Sequence, residues 1–164
     1  MASPCFAVPV PTSGALFIMP CPAVGAMAEV LDSLRLKGVT VVLSMLPDDE
    51  AHELGAQDEA ILCAERGITH LSFPIPDFGL PDVIPFAALI ADLTGGLKNS
   101  ENIAVHCRAG IGRSGMVAAC MLIALGDTAA AATAKVSDAR EVSIPDTVEQ
   151  GRFIASFTQR GKSV

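Results

Sequence analysis

Cys107 and Arg113 are the residues of this chain whose types and spacing suggest chemistry. They lie six positions apart in His106-Cys107-Arg108-Ala109-Gly110-Ile111-Gly112-Arg113-Ser114. A strand pattern, Asn102-Ile103-Ala104-Val105, leads into this segment, and a helix pattern from Met116 to Leu125 follows it. A loop entering a helix turns several backbone N–H groups towards one point, and the helix dipole adds positive potential there. Such a cradle suits a phosphate. Helix N-termini and nearby cations favour the thiolate form of a cysteine at its floor. An arginine at the rim offers a planar fork that matches two phosphate oxygens. Nucleophile and anion site therefore coincide, as phosphoryl transfer requires.

The pattern His-Cys-x-x-Gly-x-x-Arg-Ser resembles the signature of the cysteine-dependent protein tyrosine and dual-specificity phosphatases. Upstream, Phe73-Pro74-Ile75-Pro76-Asp77-Phe78-Gly79 resembles the loop that carries that family's general acid, thirty positions before Cys107. Downstream, Ile144-Pro145-Asp146-Thr147-Val148-Glu149-Gln150 is similar to the helix start where some small members place a water-orienting glutamine. The resemblance runs from about Val39 to Phe157. It implies a small, atypical dual-specificity-like member acting through a phosphocysteine intermediate. Its substrates would be phosphotyrosine proteins, with phosphoserine and phosphothreonine proteins as further candidates.

The roles it implies are specific. Cys107 would be the nucleophile. Arg113 would bind phosphate with the backbone N–H groups of Arg108, Ala109, Gly110, Ile111 and Gly112. Asp77 would be the general acid, and Ser114 would stabilise the departing thiolate. Gln150 would orient the hydrolytic water, and His106 would hold the loop from behind. No metal or cofactor is implied. The family's larger members carry Trp ahead of the Pro-Asp pair, where this chain has Ile75. Asp82 competes with Asp77 on the same loop, but a helix N-cap accounts for it.

Other readings place the same parts differently. A phosphoinositide or RNA 5′-phosphatase would share the chemistry, yet polyanions call for extra cations, and the loop offers only Arg108 besides Arg113. A rhodanese-like sulfurtransferase would need neither the Pro-Asp loop nor Ser114. A non-catalytic phosphate-binding module would tolerate loss of the cysteine, arginine or acid, and all three are present.

Composition bounds the answer. A chain of 164 residues is long enough for one domain with a continuous core, without Trp or Tyr and with seven Phe. The net charge of −7 argues against a nucleic-acid partner. The five cysteines are scattered and form no metal-site or disulfide spacing, which points to reduced thiols in the cytoplasm. Cys63 and Cys120 read as core residues, and His52 and His70 as structural. The first charge is Glu29 and the first basic residue Arg35, so the uncharged start lacks the basic region of a secretory signal. Pro4, Pro9, Pro11, Pro20 and Pro22 also interrupt any bilayer-spanning helix, and no membrane contact is expected. Nothing in the sequence indicates an oligomeric state.

The elements that must position the site alternate along the chain. Strands are expected at 15–19, 39–46, 68–75 and 103–107. Helices are expected at 26–37, 48–66, 82–98, 112–125, 128–140 and 146–159, with Asp82 and Asp127 as N-caps. This predicts an α/β fold: one domain over 1–164, with a mainly parallel sheet of four to five strands flanked by helices on both faces. Cys107 would lie at the carboxyl end of a strand, where such sheets bind ligands.

Overall fold

A computed structural model describes residues 5–162, and side chains as far as Phe157. Five strands form one sheet: β1 (Phe6–Val8), β2 (Leu16–Met19), β3 (Val41–Ser44), β4 (Thr69–Ser72) and β5 (Ile103–His106). Their order across the sheet is β1-β2-β5-β3-β4, with only the β1–β2 pair antiparallel. The expected mainly parallel sheet is present. β1 is the strand that the sequence pattern leaves out, because three residues ahead of Pro9 are too few to show alternation.

Period-two alternation divides the core between the two faces. Val41, Leu43, Ile103 and Val105 point to one side, where they meet α4 (Val83–Lys98), α5 (Arg113–Ala124), α6 (Ala129–Arg140) and α7 (Val148–Lys162). Val42 and Ala104 point to the other side, against α1 (Met27–Leu36) and α3 (Glu59–Glu65). His106 follows Ala104 by two positions and therefore projects towards α3. Cys107, one further on, joins the α5 side.

α5 is buried from Arg113 through Ile123, so it runs through the interior instead of lying on it. Small residues make room for its neighbours; a β-carbon on Gly115 would press on Ile144. A buried helix beginning at Arg113 fixes the loop before it from the inside.

Two expectations need correction. Residues 48–66 form two helices, α2 (Asp48–Glu53) and α3, instead of one. Gly55, at φ +69, turns the chain between them. The break aims Glu50 and Glu59 at different parts of the site. The N-cap of α6 is Thr128, whose hydroxyl accepts the Ala131 N–H at 3.1 Å. Asp127 instead pairs with Lys135 at 2.9 Å. Asp82 does occupy the N-cap position of α4, but its side chain makes no capping bond.

Thr128→Ala should therefore cost about 1 kcal/mol of stability. Asp127→Ala removes an exposed ion pair and should cost only a few tenths, roughly. Urea unfolding of the two variants checks the order.

Candidate active site

The loop from Cys107 to Gly112 has its carbonyls and its N–H groups sorted to opposite sides. The Arg108 carbonyl accepts from the Cys21 N–H at 3.0 Å. Arg140, the last residue of α6, donates to the Ala109 carbonyl at 2.9 Å and to that of Gly110 at 3.1 Å. The first turn of α5 takes the next two: Gly115 N–H to Ile111 at 3.0 Å, and Met116 N–H to Gly112 at 2.9 Å. Among the described residues, no N–H from 108 to 112 finds a protein acceptor. Unpaired N–H groups are rare in folded chains, and a run of them around one loop is an anion site. The left-handed Gly110 (φ +71) completes the turn, and a β-carbon there would strike the Met19–Pro20 backbone.

Cys107 sits at the floor, 2% exposed. The Ser114 hydroxyl donates to its Sγ at 3.1 Å. Burial pushes the other four thiols up, Cys21 and Cys63 to about 12. All five cysteines are free.

Arg113 is buried and held by carboxylates. Its Nη1 donates to Glu50 Oε1 and to the Ile75 carbonyl, both at 2.8 Å. Its Nη2 donates to Glu50 Oε2 at 2.8 Å and to Asp77 Oδ1 at 3.0 Å. Among the described residues, Nε–H has no protein acceptor. The bonds from Arg113 hold the Glu50 carboxyl below its usual range, despite partial burial. Arg108 reaches the same carboxylate, Nε to Glu50 Oε2 at 3.1 Å, and Glu53 at 2.9 Å. The side chain of Arg108 is thus engaged by α2.

Asp77 is brought to the loop, 3.0 Å from Arg113 and partly exposed. Asp82 is not among the loop's hydrogen-bond or ion-pair partners. Phe78, beside Asp77, is 63% exposed with φ +60. Gln150 is fully buried. Its Oε1 accepts the N–H groups of Asp146 and Thr147, and its Nε2 donates to the Gly79 carbonyl at 3.2 Å. The side chain ties the Asp77–Gly79 loop to the start of α7. A β-carbon on Gly112 would run into both the Gln150 amide oxygen and the Asp146 carboxylate.

Behind the loop, His106 is completely buried. Its Nδ1 meets the Cys107 carbonyl at 3.1 Å and its Nε2 meets Glu59 Oε2 at 2.6 Å. Glu59 Oε1 meets His70 Nε2 at 2.9 Å. Burial alone would raise the Glu59 carboxyl, but the His106 charge and both imidazole bonds outweigh it and hold it at about 2. Burial opposes the charge on His106, and Glu59 reverses that, so its value lies above the ordinary one.

Four participants escape sequence reasoning: Glu50, Glu59, His70 and Arg140. Glu50 reads as a first-turn helix acid and Arg140 as a last-turn helix base, each explained locally. Only His106 carries a signal, since a histidine buried at a strand end needs a polar partner.

A buried thiol, a loop whose N–H groups lack protein acceptors among the described residues, a buried arginine and a partly exposed aspartate thus meet on a dual-specificity phosphatase fold. The chain belongs to the cyclin-dependent kinase inhibitor 3 (CDKN3) family, whose model matches residues 27–135. Cyclin-dependent kinase inhibitor 3 of Rattus norvegicus is 28% identical over 131 residues, covering 79% of this chain and 62% of that protein. The Homo sapiens protein is 36% identical over 95 residues, 57% of this chain and 44% of that one. Both matches span less than two thirds of the relative's length. The crystal structure of kinase associated phosphatase (KAP), with its catalytic-site cysteine substituted by serine, superposes with a TM-score of 0.90 at 22% identity. That match covers 100% of this chain and 98% of the other.

The coupled Glu59–His106 pair makes stability depend on pH at both ends. Glu59 lies below its ordinary value of ~4.3, so its contribution is present above that pH and lost as pH falls towards 2. His106 lies above its ordinary ~6.5, so its contribution is present below that pH and lost as pH rises through the raised value. Glu59→Gln should be less stable than wild type at pH 6 and lose less stability between about pH 4.5 and 2. Urea midpoints across that range provide the measurement; parallel curves for the two proteins would contradict it.

Proposed function

We propose that this protein hydrolyses phosphomonoesters on proteins through a phosphocysteine intermediate. The observation that carries the reading is the sorted loop: five engaged carbonyls behind, five N–H groups without protein acceptors in front, and Cys107 at the centre. The equatorial phosphate oxygens would take those N–H groups and the Nε–H of Arg113. They would also take the Nη2–H now given to Asp77. Asp77, released from Arg113, then stands at the mouth as the acid.

The Cys107 thiolate attacks phosphorus in line, and the phosphorus–oxygen bond to the leaving group breaks. Asp77, protonated, gives its proton to that oxygen. Charge spread over the equatorial oxygens meets preorganised donors, which is where phosphoryl transfer gains most. Water then attacks the phosphocysteine and returns a proton to Asp77. The sulfur leaves as thiolate beside the Ser114 hydroxyl. Gln150 is committed to three backbone groups, so we assign it the bracing of the acid loop instead of the orientation of the water.

A protein substrate fits the surroundings better than a polyanion. A cleft of about 420 Å³ beside the loop, between α2 and the Pro76-Asp77 segment, is lined by Asp49, Glu50, Glu53 and Asp77, and the cation among its described lining residues is Arg108, already paired. A phosphoinositide or RNA end would bring further negative charge to that wall. The relatives' names tie them to cyclin-dependent kinases and to a kinase associated phosphatase, which supports a phosphorylated protein as partner here. Free thiols support a reducing, cytoplasmic setting. Among the described residues no helix is long and apolar enough to cross a membrane. Acid, loop and braces all come from one continuous fold, which supports reading 1–164 as a single phosphatase domain.

Cys107→Ser should lose turnover of an aryl phosphate while still binding vanadate. Asp77→Asn should lower kcat by a factor of ~10²–10⁴ and Asp82→Asn far less. Steady-state kinetics without added metal separate them, and a larger defect in Asp82→Asn would move the acid.

Phosphotyrosine should be preferred. Phe78 is the aromatic residue next to Asp77, and the chain has no Trp or Tyr to deepen the mouth, while a phenol of pKa ~10 leaves more readily than an alkyl hydroxyl. Matched phosphotyrosine and phosphothreonine peptides should give the higher kcat/KM for tyrosine. Equal values would make the enzyme dual-specific without altering the cysteine chemistry.

A further inference from the structure

We propose that His70 is a positioning residue for the nucleophile, acting on Cys107 through Glu59 and His106. The inference rests on the reading of Cys107 given above. Strand geometry places the three residues together. His70 on β4 pairs across with Val42, and His106 on β5 with Ser44, two positions further along β3. Both imidazoles therefore stand on the α3 face of the sheet, where Glu59 at the start of α3 lies between them.

Glu59 has one carboxylate oxygen on each ring, at 2.6 Å and 2.9 Å. Held at both ends, it cannot rotate, and the ring of His106 cannot pivot away from the Cys107 carbonyl at 3.1 Å. That carbonyl belongs to the residue that delivers the sulfur. Glu59 and His70 together border a cavity of about 380 Å³, with Ser44, Asp48, His52, Gln57 and Ser72 around it, and without His70 the freed oxygen would have that cavity in place of a donor. The carboxylate could then swing towards water there and release His106.

Charge acts in the same direction. A donor on Oε1 draws off part of the carboxylate's charge, so Glu59 neutralises His106 less completely. More positive potential then falls on Cys107. The charged and titratable groups facing His70 are Glu59 from α3 and, across the cavity, Asp48 and His52 from α2. Those facing Cys107 are His106, Arg113 from α5 and Cys21 from the segment after β2, with Glu50 from α2 and Asp77 reaching it through Arg113. Solvent reaches this chain of groups through His70: the side chains of His106 and Glu59 are 0% and 4% exposed, that of His70 17%.

The test is alkylation of the full chain by iodoacetate against pH, followed on the Cys107 peptide by mass spectrometry. Wild type is compared with His70→Ala and His70→Gln. His70→Ala should move the alkylation midpoint to higher pH by about half a unit or more. His70→Gln keeps an amide donor for Glu59 and should recover most of that shift. A merely structural role would lower the thermal midpoint of both variants and leave the alkylation midpoint alone. Should His70→Ala not fold, His70→Asn, polar but too short to reach Glu59, takes its place. An unmoved midpoint in His70→Ala or its Asn substitute, or a shift in His70→Gln as large as that in His70→Ala, overturns the proposal. If wild-type Cys107 is no more reactive than Cys21 or Cys63, the phosphatase reading itself fails, and this inference with it.

Discussion

Backbone groups come in pairs, and a loop that offers its N–H groups to an anion must dispose of its carbonyls elsewhere. The structure around residues 107–113 follows from that constraint. Three separate elements supply donors to the outer side: the strand-to-helix segment at Cys21, the end of α6 at Arg140, and the first turn of α5. Arg140 serves two successive carbonyls with one guanidinium, while its Cζ lies 4.6 Å from the centre of the Phe6 ring. The short antiparallel β1, which adds nothing to the chemistry, thus helps seat the residue that holds the loop.

The second constraint is charge in a confined space. An arginine as buried as Arg113 is costly unless paired and fully bonded, and the same holds for the charged form of His106. Each has its own carboxylate, Glu50 for the first and Glu59 for the second. Such pairs are weak evidence for net stability, since burial of both partners offsets much of their attraction. Their value here is placement. Glu50 fixes the plane of the guanidinium with Nε–H left without a protein acceptor among the described residues, and Glu59 fixes the imidazole behind the sulfur.

Both carboxylates depend on one interruption in the chain. A continuous helix over 48–66 would give Glu50 and Glu59 a fixed angular offset and an axial distance of about 13 Å. The turn at Gly55 breaks that relation, so α2 can lie beside the loop mouth while α3 packs behind it. Helix propensity favoured continuity. Tertiary packing prevailed, with Ala56 and Cys63, beyond the break, both buried in the cluster against α1.

The sequence alone singled out Cys107, Arg113 and the Pro76-Asp77 loop, and the alternation that yields a mainly parallel sheet. These are local facts: a fixed spacing of six, a Pro-Asp pair, β-branched runs between helical periods. They stay local because a strand-loop-helix unit organises itself from neighbouring residues. The partners of that unit were decided by tertiary structure. Arg140 meets Gly110 across 30 positions, Glu59 meets His106 across 47, and Glu50 meets Arg113 across 63. No periodicity or cap rule ranks one surface glutamate above another at such separations. Only the packing of α2, α3 and α6 against the sheet selects which charges arrive at the loop.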